Sequence, residues 1–165
     1  MNNQIYIGVV GGTQVGKKSL VEDYICKYFN GRKIKSDPLA NEYIATIVTN
    51  VGPVKVLMTI INDVKSVTIE LLKGVDCFII VSDVSDSNMH TLFKTMCTEL
   101  IHHLGNTISI INCFNKTDIT CVDTYIFDSS APTFDISVKT TSGINDMLTY
   151  ILRSVLKKER LLICM

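Results

Sequence analysis

The chain alternates between short runs that are apolar throughout and longer stretches whose apolar residues return every third or fourth position. Residues 5–10 form a β-branched run that stops at Gly11-Gly12, and from Ser19 to Phe29 the apolar positions Leu20, Val21, Tyr24, Ile25 and Tyr28 have the spacing of one helix face. This predicts a strand, a glycine turn and a helix. Residues 30–42, with Gly31, a basic cluster and Pro38, read as a surface loop. Residues 43–51 and 54–61 then flank Gly52-Pro53 as a hairpin, with Pro53 in the turn because it has no N–H to give to a ladder. Beyond it the pattern predicts a helix near 66–73, a strand over 76–82, a helix over 87–104, a strand over 107–114, a short strand over 133–136 and a helix over 143–158. Strands apolar on both faces, separated by amphipathic helices, predict a three-layer α/β fold: a mostly parallel six-stranded sheet with helices on both faces. In such sheets ligands bind at the carboxyl ends of the strands, which directs attention to the loops after Val10, Ile61, Ser82, Phe114 and Ile136.

Composition narrows the class. A length of 165 residues with no Pro/Gly/Ser-rich stretch suits a single domain over 1–165. A hydrophobic fraction of 47% and a mean hydropathy of +0.29 exclude a disordered chain, and the longest apolar runs, 77–81 and 108–111, are too short to cross a bilayer. Lys+Arg and Asp+Glu balance at 16 each, leaving no bulk electrostatic case for nucleic acid or an anionic membrane surface. The opening Met1-Asn2-Asn3-Gln4 lacks the basic and apolar regions of a signal peptide, so an intracellular chain is expected, cytoplasmic or nuclear, and monomeric. The cysteines Cys26, Cys77, Cys97, Cys113, Cys121 and Cys164 form no C-x-x-C pair and are expected to be reduced.

Gly11-Gly12-Thr13-Gln14-Val15-Gly16-Lys17 matches G-x-x-x-x-G-K, directly after a strand and before a helix. Gly11 and Gly16 permit a path that turns successive N–H groups inward, the helix N-terminus adds its positive dipole end, and Lys17 can reach β- and γ-phosphates. The next position of such a loop is Ser or Thr, whose hydroxyl ligates Mg²⁺; here it is Lys18, and the hydroxyl is deferred to Ser19. One residue rotates an α-helical side chain by about 100°, so Ser19 is expected to point elsewhere. Lys18 has two readings: its ammonium supplies part of the charge that the metal would, or it extends into solvent and metal binding is simply weakened.

The strand over 107–114 runs into Asn115-Lys116-Thr117-Asp118, an N-K-x-D pattern. A carboxylate at Asp118 can accept from both the ring N–H and the exocyclic amino group of guanine, a pair of donors that adenine does not present. Asn115 would tie this loop to the phosphate loop, and the Lys116 stem would lie over the ring. Asp135-Ile136-Ser137-Val138-Lys139 reads as a second loop against the base.

With these motifs in place the chain resembles the Ras superfamily of small GTPases over essentially its whole length, a P-loop G domain. It is most similar to the Ran branch in Tyr43-Ile44-Ala45-Thr46, Gly52-Pro53-Val54-Lys55, Asn115-Lys116-Thr117-Asp118-Ile119 and Phe134-Asp135-Ile136-Ser137. The resemblance implies GTP or GDP as ligand, normally with Mg²⁺, and a protein effector or regulator as partner. It implies that Ser137, Val138 and Lys139 border the guanine, with the Val138 backbone facing its carbonyl oxygen. It also makes Thr46 the switch threonine that contacts magnesium and the γ-phosphate.

Elsewhere the pattern fails. The family's D-x-x-G followed by glutamine aligns with Ile60, Asp63 and Val64. Valine cannot orient water by hydrogen bonding, and a carboxylate near the γ-phosphate repels it. A shifted loop would let Asp63 serve the metal instead. The segment from Lys17 to Thr46 is longer than in the family and that from Ile119 to Phe134 shorter, so the helix of the latter is expected to be stunted. Cys164 fits no prenylation signal, so no stable membrane anchor is expected. The expectation is a nucleotide-binding module with impaired or absent GTP hydrolysis. The alternatives are a slow GTPase switch using Thr46, Ser19 and Asp63, and an interaction protein with an empty pocket.

Overall fold

Strand β1 (Gln4–Gly11) is the axis of the molecule. In the computed structural model, which describes residues 3–36, 40–119 and 130–165, β1 lies between parallel neighbours β4 (Gly52–Ile61) and β5 (Cys77–Asp83). Both of its faces are covered, as a continuous apolar run requires. Strands β6 (Ser109–Asn115) and β7 (Thr133–Asp135) extend the parallel part on one side. On the other side β3 (Ala40–Thr49) and β2 (Arg32–Ser36) add antiparallel strands, giving the order β2-β3-β4-β1-β5-β6-β7.

Side-chain alternation divides the interior in two. Ile5, Ile7 and Val9 of β1 join Tyr43, Ala45 and Ile47 of β3 and Val56, Met58 and Ile60 of β4 on one face, beneath the first helix and α3 (Ile144–Leu156). Val10, Ile61, Phe78 and Ile80 face the other way, packing on Phe93 and Leu100 of α2 (Met89–Leu104) and Leu72 of the short α1 (Ile69–Lys73). Fully burying each such side chain stabilises the fold by about 1.5–3 kcal/mol.

Among the described residues the sheet has seven strands where the sequence predicts six. The additional one, β2, falls in the segment read as a loop: Arg32-Lys33-Ile34-Lys35-Ser36 is exposed at every position, so no alternation of burial marks it. It is an edge strand, and its lysines guard it against pairing with other chains. Its partner β3 starts at Ala40, earlier than predicted, and Pro53 lies within β4 opposite Val48 instead of in the turn. Pro38 and the shortened segment after Ile119, with its expected stunted helix and Cys121, fall outside the described residues. The helix predicted near 66–73 is divided into a 3₁₀ turn (Val64–Ser66) and α1, whose cap Thr68 accepts from the Leu71 N–H at 3.3 Å.

The first helix also departs from expectation. Ser19–Cys26 is wound as a π-helix, entered through the Leu20 N–H to Gly16 carbonyl bond of 2.9 Å and left through Gly31 N–H to Cys26 carbonyl, 2.7 Å. Its inward face still carries Leu20, Val21, Tyr24 and Ile25, all buried, so the apolar spacing fits either winding. After α3 the chain returns to the β3–β4 hairpin, where Ile163 bridges Thr49 and the Cys164 N–H donates to Val48. Among the described residues no helix is long and apolar enough to cross a membrane, and Cys26, Cys77, Cys97, Cys113 and Cys164 are free thiols.

Candidate functional site

The loop between β1 and the first helix sits at the carboxyl edge of the sheet. Gly16 has φ +101°, and a Cβ there would lie 2.3 Å from Asn115 Nδ2; glycine is needed both for the backbone turn and for the approach of Asn115. Gln14 also adopts a left-handed backbone, φ 59°. Lys17 folds back over the loop, donating to the carbonyls of Gly11 at 2.7 Å and Gly12 at 2.6 Å. Burial holds its ammonium below the ordinary lysine pKa, the condition of a cation poised for an anionic neighbour.

The Asn115–Asp118 loop is braced against it. Asn115, buried at the end of β6, donates from Nδ2 to the Val15 carbonyl at 2.9 Å and accepts at Oδ1 from the Val138 N–H at 3.3 Å. A single side chain therefore links the phosphate loop, the Asn115–Asp118 loop and the Ser137–Lys139 loop. Lys116, at φ 67°, donates to the Gln14 carbonyl at 3.1 Å and pairs with Asp83. Burial alone would raise the Asp83 carboxyl, but hydrogen bonds from Lys116 and Ser85 outweigh it and hold it below the usual range. Ser137 donates to Asp118 Oδ1 at 2.6 Å, and Lys139 Nζ lies 3.8 Å from Oδ2. The Ser137 bond, then Lys139, keep Asp118 ionised below the usual carboxylate range, so it is an acceptor at neutral pH.

Two cavities meet along the phosphate loop and share Gln14, Gly16 and Ser19 in their walls. The first, about 470 Å³, is bounded by Asp23, Asn115, Lys116, Asp118, Ile119, Val138 and Lys139. The second, about 500 Å³, is bounded by Thr13, Val15, Lys17, Lys18, Lys33, Asn41, Tyr43, Ile60 and Asn62. Each is of a size that takes a small organic ligand. Together they make a groove with the Asp118 carboxylate at one end and three lysines at the other. Gly11 and Gly12 lie behind the second cavity, where their carbonyls anchor Lys17.

Ser19 bounds both halves of the groove. A π winding takes more residues per turn than an α-helix, so one residue of delay turns the hydroxyl by less. Lys18 is largely exposed and its ammonium is 3.6 Å from Glu22, yet it remains on the wall of the second cavity. Glu22 also accepts from the Tyr43 hydroxyl, whose pKa is pushed up by burial and by that bond.

Thr46 is a correction. Register pairs it with Lys55, and Lys55 with Gln4 at the amino end of β1. It lies five positions beyond Asn41, roughly 17 Å along the strand, and on the opposite face from Tyr43, Ala45 and Ile47. It is not among the residues that bound the cavity at the phosphate loop. Asn41, opposite Ile60, is the β3 residue that reaches the cavity. Asp63 is likewise turned aside: it caps the 3₁₀ turn, accepting from Lys65 N–H at 3.0 Å and from the Ser66 hydroxyl, and the neighbouring cavity wall is supplied by Ile60 and Asn62. Lys33, Asn41, Tyr43 and Asn62 were not legible as site residues; their only sequence signal is the basic cluster that includes Lys33.

A model of the Ras family matches residues 7–157, and the chain belongs to that family, the GTP-binding small GTPases. A comparison of the sequence with curated proteins gives no match.

Magnesium, which small GTPases generally bind with their nucleotide, does not fit the phosphate wall of this chain. No residue bounding that cavity is acidic, and its charged side chains are the cations Lys17, Lys18 and Lys33. Among the described residues no cluster of three His, Cys, Asp or Glu side chains could hold a metal ion.

Proposed function

We propose that this protein holds a guanine nucleotide with little or no hydrolysis, a pseudo-GTPase that serves as a nucleotide-stabilised binding module for an effector or regulator protein. In this reading Asp118 accepts the two donor groups of guanine, and the Lys116 stem covers the ring. The Val138 backbone borders its carbonyl edge, while the Gly11–Gly16 N–H groups and Lys17 hold the phosphates. The single observation that carries it is the cation-lined, carboxylate-free phosphate cavity. Phosphoryl transfer depends on positioning and on charge stabilisation, and no side chain at Val64 or Ile60 can orient water or ligate a metal. The segments shared with the Ran branch support placing the chain nearest that branch, as an intracellular monomer.

Single-turnover GTP hydrolysis with and without Mg²⁺ tests the reading, with turnover no faster than buffer expected in both. Measurable magnesium-dependent turnover would instead favour a slow GTPase, for which Ser19 on the cavity wall offers a hydroxyl. Purified protein should release GDP or GTP on denaturation; its absence, with no thermal stabilisation by either, would favour an empty pocket.

A further inference from the structure

Lys33 carries the inference furthest. It stands opposite Tyr43 on the β2–β3 ladder, immediately before a shift of register between Lys33 and Lys35, the kind of irregularity that re-aims a side chain. Its ammonium is 5.7 Å from the centre of the Tyr43 ring, and Tyr43 in turn reaches Glu22 on the helix that follows the phosphate loop. Lys33 therefore lies on the sheet face that carries the phosphate loop, on the wall shared with Lys17 and Lys18. Its neighbours have carboxylate partners: Lys35 pairs with Glu42 and Lys18 with Glu22. Among the described residues Lys33 has none. An edge-guarding lysine need only face water; this one faces a cavity.

Asp118 bounds the first cavity, Gln14, Gly16 and Ser19 bound both, and Lys17, Lys18 and the β2 residue Lys33 bound the second. A nucleotide bound with its base at Asp118 runs its phosphates into that second cavity, and the terminal phosphate is the group that reaches farthest from the base. Resting on the reading above, we propose that Lys33 contacts the terminal phosphate, so that the protein prefers GTP to GDP without magnesium. The edge strand thus supplies from outside the charge that small GTPases draw from a metal.

The test is calorimetric titration of the full chain with GTP and with GDP, in chelator and in Mg²⁺, for wild type, Lys33→Gln, Lys33→Arg and Lys35→Gln. Wild type is expected to favour GTP by roughly tenfold in chelator, the scale of one charge-assisted contact. Lys33→Gln should lose that preference with GDP affinity unchanged, Lys33→Arg should retain most of it, and Lys35→Gln should behave as wild type. Equal weakening of GTP and GDP in Lys33→Gln, an unchanged ratio, or a preference present only with Mg²⁺ would overturn the assignment while leaving nucleotide binding intact. Wild type binding neither nucleotide would overturn the underlying reading and this one together.

Discussion

The two halves of the groove are built differently. Around Asp118 the polar side chains of three loops are tied together: Asn115 spans the loops, Lys116 ties Gln14 to Asp83, and Ser137 donates to the carboxylate with Lys139 nearby. Around Lys17 the wall combines the phosphate loop, three lysines and neutral residues such as Asn41, Ile60 and Asn62, with no carboxylate. Recognition of a base needs fixed donors and acceptors, whereas holding phosphates needs mainly positive charge and backbone N–H groups. A chain can therefore lose the chemistry of the second half while retaining the first, which is what the proposed binding without turnover requires.

The contrast can be broken most directly at Asp118. Asp118→Ala should weaken guanine nucleotide binding by on the order of a hundredfold or more, since two charge-assisted bonds are lost; calorimetry reads it, and a loss below threefold would contradict base recognition there. Next in size is Gly16→Ala, which forces a side chain onto Asn115 Nδ2 at an unfavourable φ. It should destabilise the protein by about 1–3 kcal/mol, seen as a lower urea midpoint, and weaken both halves at once. Lys18→Ser restores a hydroxyl at the metal's usual position. If Lys18 supplies charge to the phosphates, bound nucleotide should survive chelator in wild type, whereas retention in the variant should become magnesium-dependent, measured as nucleotide remaining after a chelator wash.

The smallest effect concerns Lys17. Its pKa in the folded, nucleotide-free protein is lowered by burial from 10.5, so the folded state binds this proton less tightly than the unfolded chain. The resulting penalty is fully present below the folded pKa and disappears as pH rises through it toward 10.5. Urea midpoints of wild type relative to Lys17→Met should therefore improve as pH approaches that value, and addition of GTP should reduce this slope.

The base-side residues were legible because Asn115 to Asp118 are contiguous and follow an unmistakable strand. The parallel sheet was legible for a related reason, since β1, β5 and β6 are apolar throughout. On the phosphate side the loop from Thr13 to Ser19 was legible from its motif, whereas Lys33, Asn41 and Tyr43 were not, because they reach the groove through register, a non-local property that no short motif encodes. Matching Tyr43–Thr46 to a family segment assumed a hairpin of family length; the actual pairing of Asn41 with Ile60 moves Thr46 away. Strand β2 escaped notice because it buries nothing, and the π winding because apolar positions three and four apart suit both helices.

That winding makes the residue count at the head of the first helix negotiable. A turn of π-helix takes up one amino acid more than a turn of α-helix, so a supernumerary lysine can be absorbed there without dragging the following strand out of alignment. Excising Lys18, and not merely replacing it, is thus the edit that would let the segment tighten to ordinary pitch and seat Ser19 directly behind Lys17.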